Sequence, residues 1–245
     1  MSIGVFITED EKQKIQNNAR YFKESTDEEL DVLVHDKNEY VRAAVAIIGR
    51  DKDLDILVND RSNLVLSFVV GFGRDKDLDI IMNKPNLHSQ IRYLIARRGR
   101  DKDLDILVHD EDWLVRAEVA KHNRDKDLDI LVNDDSYNVR TIVARRGRDK
   151  DLDILVNDES FMVREQVAFH SRDKDLDILV NDEDDFVRLV VACAGRDKDL
   201  DILVNDPKPM VRREVASHGR YKDLDILVND VDFDVRLIAS NMKKK

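Results

Sequence analysis

The strongest constraint on this chain is an eleven-residue motif that recurs along it at a nearly constant spacing. The motif reads Arg-Asp-Lys-Asp-Leu-Asp-Ile-Leu-Val-Asn-Asp, and its first copy, which begins at Thr26, is the most divergent. Successive copies begin roughly 24 residues apart, a spacing typical of solenoid repeats, and units this short must stack on their neighbours to enclose a core. The interval is constant except for a longer step between the third and the fourth copies, and the copies start at Thr26, Arg50, Arg74, Arg100, Arg124, Arg148, Arg172, Arg196 and Arg220.

Each copy has the hydrophobic spacing of two short helices. In the first segment Leu152, Leu155 and Val156 fall at i, i+3 and i+4 on one helical face, and Asp149 stands where it would cap the helix. The second segment, Val-Arg-x-x-Val-Ala, follows a capping residue and in most copies precedes a glycine suited to a left-handed C-cap. The predicted caps are Asn38, Ser62, Asp112, Ser136, Ser160, Asp184, Asp232 and Lys208 (before Pro209) at the N-termini, and Gly49, Gly73, Gly99, Gly147, Gly195 and Gly219 at the C-termini.

The residues before the first copy have the pattern of one longer helix. Thr8 and Glu11 form a capping-box pattern, and Ile15, Ala19 and Phe22 then give one apolar face. The sequence therefore predicts an all-α protein with an N-terminal capping helix over residues 1–25. A nine-repeat α-solenoid follows over residues 26–245, as a single continuous domain.

A turn aspartate followed by Val-Arg and then Val-Ala recurs, as in Asp110 with Val115-Arg116 and Asp158 with Val163-Arg164. Over residues 26–241 this pattern resembles the HEAT-like repeat families, most closely the leucine-rich repeat variant, whose unit pairs two short helices in a repeat of the same length. The resemblance implies a right-handed superhelix and a role in binding macromolecules. The founding variant protein also carries a cysteine-ligated cluster near its N-terminus, but this chain has no cysteine there, so we expect no such cluster.

Composition narrows the possible functions. A formal net charge of -11 argues against nucleic-acid binding without sequence preference, which needs a positive surface. Cys193 is the single cysteine, so disulfides and cysteine-ligated metals are not expected. The sequence has no glycine-rich phosphate loop, no serine elbow and no Cys–His pair, and we therefore predict a non-enzymatic protein without cofactor or metal. Residues 1–11 lack a signal-peptide pattern and no apolar run approaches a membrane span, which predicts a soluble cytoplasmic protein.

Two adjacent copies depart from the pattern, one by losing its arginine and the other by losing its turn aspartate. Leu66 replaces the arginine of the second copy, and Lys84 replaces the turn aspartate of the third, which also carries a two-residue insertion within Pro85–Gln90. If the arginine of one copy pairs with the aspartate of the next, both changes fall on the same bond. We therefore predict a ladder of such ion pairs along the turns, interrupted between the second and third copies. The interruption, with Pro85 and the insertion, is interpreted as a kink or a local specialisation, with neutral drift as the alternative.

Variation among copies concentrates on the second helices, and one group of side chains stands out there. Two repeat positions carry basic residues in copies three to five, about one helix diameter (~10 Å) apart along the stack. We refer to this group as the basic ridge; it consists of Arg97, Arg98, Lys121, His122, Arg145 and Arg146. Arginine and aromatic side chains together are typical of binding hot spots, and the same copies contain Tyr93, Trp113 and Tyr137.

These features predict a protein-binding scaffold that uses the variable face of the second helices, with another protein or an acidic peptide as partner. The alternative is a nucleic-acid-related role, either phosphate binding by the basic ridge or inhibition of a DNA-binding protein by acidic rows that mimic DNA. A third possibility is that the basic ridge pairs with nearby aspartates and has no further function. His122, His170 and His218 share one repeat position in alternate copies, too far apart to hold one metal ion, and we expect them to be solvated or capping.

Overall fold

In a computed structural model, which describes residues 8–244, every regular element is an α-helix. A 14-residue helix comes first, followed by alternating first and second helices of the repeats, each 7 to 10 residues long. In chain order the helices are α1 (Glu9–Phe22), α2 (Asp27–Leu33), α3 (Glu39–Ile48), α4 (Asp51–Leu57), α5 (Asn63–Phe72), α6 (Asp75–Met82), α7 (Ser89–Arg98), α8 (Asp101–Leu107), α9 (Trp113–Ala120), α10 (Asp125–Leu131), α11 (Tyr137–Arg146), α12 (Asp149–Leu155), α13 (Phe161–Phe169), α14 (Asp173–Leu179), α15 (Asp185–Ala194), α16 (Asp197–Leu203), α17 (Pro209–Ser217), α18 (Tyr221–Leu227) and α19 (Phe233–Met242).

The chain divides into two compact units, Met1–His122 and Asn123–Lys245. Within each unit, every first helix packs on the second helix of its own copy, and consecutive second helices pack directly on each other. Helices this short are marginal alone, so their stability comes from this stacking. The arrangement confirms the predicted all-α class and the α-solenoid of two-helix repeats, whereas the single continuous domain over residues 26–245 remains a prediction.

Helix α1 closes the first repeat as predicted. Its N-terminus carries a complete capping box, because the Thr8 hydroxyl accepts from the Glu11 backbone N–H and the Glu11 carboxylate accepts from that of Thr8. Ile15, Ala19 and Phe22 are buried, and α1 packs on α3. The Tyr40 hydroxyl donates to Glu11 over 2.9 Å. Residues 1–7 of the predicted cap and Lys245 lie outside the described residues.

The first helices begin one residue earlier than the sequence suggested. Leu152 and Leu155 are 1% exposed and form the predicted core face. Asp149, however, is the first helical residue, and Arg148 holds the N-cap position without a side-chain capping bond. The prediction for Asp149 was therefore wrong: its carboxylate lies in the first turn, where a negative charge favours the helix dipole, and it accepts from Arg172 of the next copy over 3.0 Å.

The N-caps of the second helices lie where the sequence placed them. Asn38, Ser62, Asp112, Asp184 and Asp232 accept hydrogen bonds from the first-turn backbone. Ser136 and Ser160 occupy the same position without a side-chain capping bond, and Lys208 precedes Pro209 at the start of α17.

Four of the six predicted C-cap glycines adopt the left-handed conformation directly at the cap: Gly49, Gly99, Gly147 and Gly195. Gly219 is also left-handed (φ 73°) but lies one residue beyond the cap. The prediction for Gly73 was wrong, since it is extended (φ −75°, ψ 174°). A side chain there would bring a Cβ atom within 2.4 Å of the Val69 carbonyl oxygen, so close packing explains this glycine.

Candidate functional site

The predicted ladder of ion pairs is confirmed along the turns of the repeats. In each pair, arginine Nε and Nη2 donate to the two carboxylate oxygens of the turn aspartate in the following copy, with Nε–Oδ2 distances of 2.6 to 2.7 Å. This bidentate geometry is the strongest form of the Arg–carboxylate contact. The pairs within the two units are Arg42–Asp60, Arg92–Asp110, Arg140–Asp158, Arg164–Asp182, Arg188–Asp206 and Arg212–Asp230.

The ladder also fixes the turn of each copy. Arg188 Nη1 donates to the carbonyl oxygens of Asp182 and Glu183 in its own copy, and its partner Asp206 accepts the backbone N–H of Lys208. The Arg188 and Asp206 side chains are only 10% and 2% exposed. A buried charge without its partner is strongly unfavourable. Each Arg–Asp pair therefore holds the turns of two adjacent copies at a fixed distance from each other.

The interruption predicted between the second and third copies is also present. Leu66 is buried in α5, where the other copies have a guanidinium group. Lys84 turns instead to the Asn59 side chain, with its Nζ 3.3 Å from Oδ1. Leucine therefore replaces the arginine of this pair and lysine replaces its aspartate, so no buried carboxylate is left without a partner.

The ladder predicts a specific dependence of stability on pH. Hydrogen bonds from Arg212 hold the pKa of Asp230 below its ordinary value, despite burial, which acts in the opposite direction. A carboxylate with a lowered folded-state pKa contributes its full stability above the unfolded-state value of about 3.9 and loses it as the pH falls through the folded-state value. We expect Asp230→Asn to lower the free energy of unfolding by about 2 kcal/mol at pH 7, and this difference should shrink below pH ~4. Urea unfolding from neutral to acidic pH tests this, and a constant difference between the two proteins would contradict it.

A second set of ion pairs joins consecutive first helices and neutralises their acidic rows. Arg172 binds Asp175 of its own helix at 2.5 Å and reaches Asp149 and Asp153 of the preceding copy at 3.0 and 2.8 Å. Lys174 also binds Asp153. The same arrangement recurs around Arg50, Arg148, Arg196 and Arg220. The exposed aspartates of this face therefore have cations within ion-pair distance, as expected for a partly self-neutralised surface.

Two members of the basic ridge contact the end of the preceding second helix. Arg98 donates to the carbonyl oxygens of Gly71 and Gly73 at 3.1 and 3.4 Å. Nε2 of His122 lies 2.7 Å from the carbonyl oxygen of Ala96, and it carries the proton because a carbonyl only accepts. Both side chains thus donate hydrogen bonds to carbonyl oxygens at a helix C-terminus, where the helix itself supplies too few backbone donors.

The other ridge members have more exposed side chains. Arg97 and Lys121 are exposed in the first unit, where Lys121 also binds Glu118 at 2.6 Å. Arg145 and Arg146 are exposed in the second unit, where Arg145 donates to the Gln166 side chain at 3.2 Å. In each unit these residues are exposed cations at the C-terminal ends of the second helices, and Lys121 and Arg145 have partners within the chain.

The alternating histidines have a role that the sequence indicated only in part. His170 and His218 repeat the contact of His122, with Nε2 2.8 Å from the carbonyl oxygens of Ala144 and Ala192, so the capping alternative is confirmed. The sequence did not show that each ring also covers a left-handed glycine of the preceding copy. A Cβ atom on Gly99, Gly147 or Gly195 would lie 2.5 to 2.7 Å from a histidine Cε1.

The aromatic side chains singled out in the sequence differ in exposure. Trp113 and Tyr137 are 40% and 43% exposed in the first turns of α9 and α11, whereas Tyr93 is half-buried in α7. Sequence reasoning missed a further pair in the second unit, Phe161 and Phe186, whose ring centroids lie 6.3 Å apart. The two residues occupy different positions within their copies, so aligning the repeats does not place them together.

Residues 8–244 contain no group of three or more histidine, cysteine, aspartate or glutamate side chains arranged to hold a metal ion. In the same range, every helix is too short or too polar to cross a bilayer.

Stacked two-helix repeats, linked by a ladder of buried ion pairs, place this chain among the α-solenoids. The structure is similar to a leucine-rich repeat variant described as having a novel repetitive structural motif, with a TM-score of 0.73, 24% identity, and coverage of 85% of this chain and 88% of the other. The predicted resemblance is thus confirmed at the level of the fold. Weaker similarities link it to YibA of Escherichia coli (TM-score 0.46, 17% identity, 98% of both chains) and to computationally designed armadillo repeat proteins (TM-score 0.22, 14% identity, 96% and 98%). No protein-family model and no curated protein matches the sequence.

Proposed function

We propose that this protein is a non-enzymatic scaffold that binds another protein or an acidic peptide through the variable face of its second helices. The observation that carries the proposal is the difference in sequence variation and in charge pairing between the first helices and the second helices. The first helices are nearly constant in sequence and their charges are engaged in ion pairs between copies. The second helices carry the exposed side chains that differ from copy to copy, including Trp113, Tyr137 and Arg145. A cytoplasmic location, where thiols stay reduced, fits the single exposed thiol of Cys193.

The exposed members of the basic ridge are the anchors in this proposal. Arg97 in the first unit and Arg145 in the second share one repeat position and are exposed, as expected of groups that meet a carboxylate of a partner. Arg98 and His122 support this surface indirectly, since they cap the preceding helices. Oriented charge gives an interface its specificity and its association rate.

The acidic-mimic alternative is less favoured by the geometry. A DNA mimic needs rows of uncompensated negative charge, but Asp153 has both Lys174 and Arg172 within 2.8 Å. Phosphate binding by the ridge is the other form of this alternative. It predicts a steep fall in affinity with salt, since each neutralised phosphate releases counterions.

A capture experiment with matched charge reversals tests the proposed function. The immobilised full-length chain is exposed to an extract of its source cells, and the bound proteins are identified by mass spectrometry. We expect Arg97→Glu with Arg145→Glu to reduce recovery of a specific partner by about tenfold, because like charges then face each other. The control, Arg20→Glu with Lys23→Glu, makes the same change in net charge on and just after α1 and should leave recovery unchanged.

Two outcomes would contradict the proposal. Equal recovery by the native chain and the ridge variant would show that the ridge is not the anchor. Recovery of nucleic acid, lost between about 50 and 200 mM salt, would favour the alternative function. Circular dichroism of each variant verifies that the helices are intact.

A further inference from the structure

The second unit has a partly exposed aromatic pair at the N-terminal ends of two consecutive second helices. Phe161 of α13 and Phe186 of α15 stack with an interplanar angle of 27°. Phe186 is 49% exposed and the neighbouring Met162 is 42% exposed, although Phe161 itself is half-buried. Exposed aromatic side chains that are already packed on each other lose little conformational freedom on binding, which makes them effective contact residues.

Carboxylates flank this aromatic pair. Glu159 and Glu183 each follow the turn aspartate of their copy, two and three residues before Phe161 and Phe186 respectively. Each accepts from a ladder arginine over one longer contact, at 3.1 and 3.3 Å. Their side chains nevertheless remain 84% and 86% exposed, so most of each carboxylate faces water.

The turns and second helices of these two copies carry more carboxylates than cations. Residues 157–169 contain three carboxylates and one arginine, and residues 181–194 contain four carboxylates and one arginine. Both arginines, Arg164 and Arg188, are bound to turn aspartates of the next copies, and Arg164 also reaches Glu183. Lys208 of copy eight lies 3.6 Å from Asp185. Burial and the nearby Asp184 raise the pKa of Glu165 on α13, as expected where negative charge is in excess.

The repeat itself does not require this excess of acid. At the position of Glu159 and Glu183, the first two copies carry Lys37 and Arg61, and the turns and second helices of those copies have balanced charges. The aromatic pair is also specific to copies six and seven. An acidic rim therefore coincides with a stacked pair of rings in copies six and seven.

We propose that Phe161, Phe186, Glu159 and Glu183 bind a cationic peptide segment of a partner protein. Lysine or arginine side chains would lie against the exposed ring faces, which attract cations, with their head groups at the two carboxylates. This inference rests on the proposed function only in taking the second helices as the binding face. The proposed patch lies at the N-terminal ends of second helices, whereas the basic ridge lies at the C-terminal ends of other second helices. The partner segment that it binds is cationic, whereas the ridge is expected to bind an acidic one.

Peptide binding to the purified full-length chain tests the inference. The probe is a fluorescein-labelled ten-residue peptide of alternating arginine and alanine, followed by fluorescence anisotropy at about 50 and 150 mM salt. The matched acidic peptide, with glutamate in place of arginine, should not bind this patch. Glu159→Gln with Glu183→Gln should weaken arginine-peptide binding about fivefold at the lower salt. Phe161→Leu with Phe186→Leu, which keeps apolar packing but removes the rings, should weaken it about threefold or more.

Two control variants separate a site from attraction by net charge. Glu24→Gln with Glu28→Gln removes the same two charges from exposed positions near the N-terminus, and Tyr221→Leu removes an exposed aromatic ring from α18. Neither should change the affinity. Equal weakening by the two glutamate pairs, or no effect of the phenylalanine pair, would overturn the inference, as would absence of binding by the native chain. None of these results affects capture through the ridge, so the proposed function is tested independently.

Discussion

Arg188→Leu is expected to lower the free energy of unfolding by about 3–5 kcal/mol, because it leaves a buried carboxylate without its cation. The partner, Asp206, has a side chain that is 2% exposed, and its remaining hydrogen bond is to the Lys208 backbone. The carbonyl oxygens of Asp182 and Glu183 lose their donor as well. Urea unfolding followed by circular dichroism measures the loss.

A double variant distinguishes an unpaired charge from a lost contact. Arg188→Leu with Asp206→Asn removes both charges but keeps an oxygen to accept the Lys208 N–H, and we expect a cost of about 1–2 kcal/mol. The second and third copies are a natural precedent, since Leu66 there faces a copy without the turn aspartate.

The control for this experiment is an arginine on the next second helix. Arg213 is 41% exposed and lies 3.4 Å from Asp234, a surface pair of the kind worth less than about 1 kcal/mol. Arg213→Leu should therefore have a small effect. If Arg188→Leu costs no more than Arg213→Leu, the buried ladder does not determine stability. Hydrogen exchange of copies seven and eight shows whether the loss is local, since repeat arrays can unfold in parts.

Repetition made the fold predictable from the sequence. A single copy leaves helix and strand open, but a nearly constant spacing over nine copies fixes the period, the turns and most caps of the second helices. The ladder was predictable for a related reason: Leu66 and Lys84 depart together, and two changes on one bond indicate that the bond joins adjacent copies. The boundary at Asp149 was missed because Arg148 and Asp149 both precede an apolar helical face, and only backbone geometry separates cap from first residue.

The surface was less predictable because its residues act through the preceding copy. Arg98 and His122 looked like one basic row, but their roles depend on carbonyl groups of the copy before, which a residue pattern does not show. Phe161 and Phe186 come together although they stand at different repeat positions. Aligning copies reveals constant contacts well, and it hides contacts between unlike positions.

Gly147→Ala tests the contact between alternating glycines and histidines, and we expect it to destabilise the protein by about 2–4 kcal/mol. Gly147 has φ +75°, which is unfavourable for alanine. In addition, the new Cβ atom would lie 2.6 Å from Cε1 and 2.9 Å from Nδ1 of His170. The ring is held by its bond to the Ala144 carbonyl oxygen, so it cannot move away without losing that bond.

The chain supplies a matched control for backbone strain. Gly49 has φ +76°, but the nearest atom to an added Cβ is its own Ile47 carbonyl oxygen at 3.9 Å. Gly49→Ala should therefore cost only the left-handed strain, about 1–2 kcal/mol. Any larger effect at Gly147 measures the contact with the histidine of the next copy.

A double-mutant cycle then decides whether the two residues act as a pair. His170→Ala alone loses one hydrogen bond, about 1 kcal/mol, but it opens the space that an alanine at position 147 needs. The double variant should be more stable than the sum of the single changes predicts by at least about 1 kcal/mol. Such coupling would make two copies, rather than one, the packing unit at Gly99–His122, Gly147–His170 and Gly195–His218, which recur in every second copy. Additive effects would instead leave the single copy as the unit and make each histidine a simple cap.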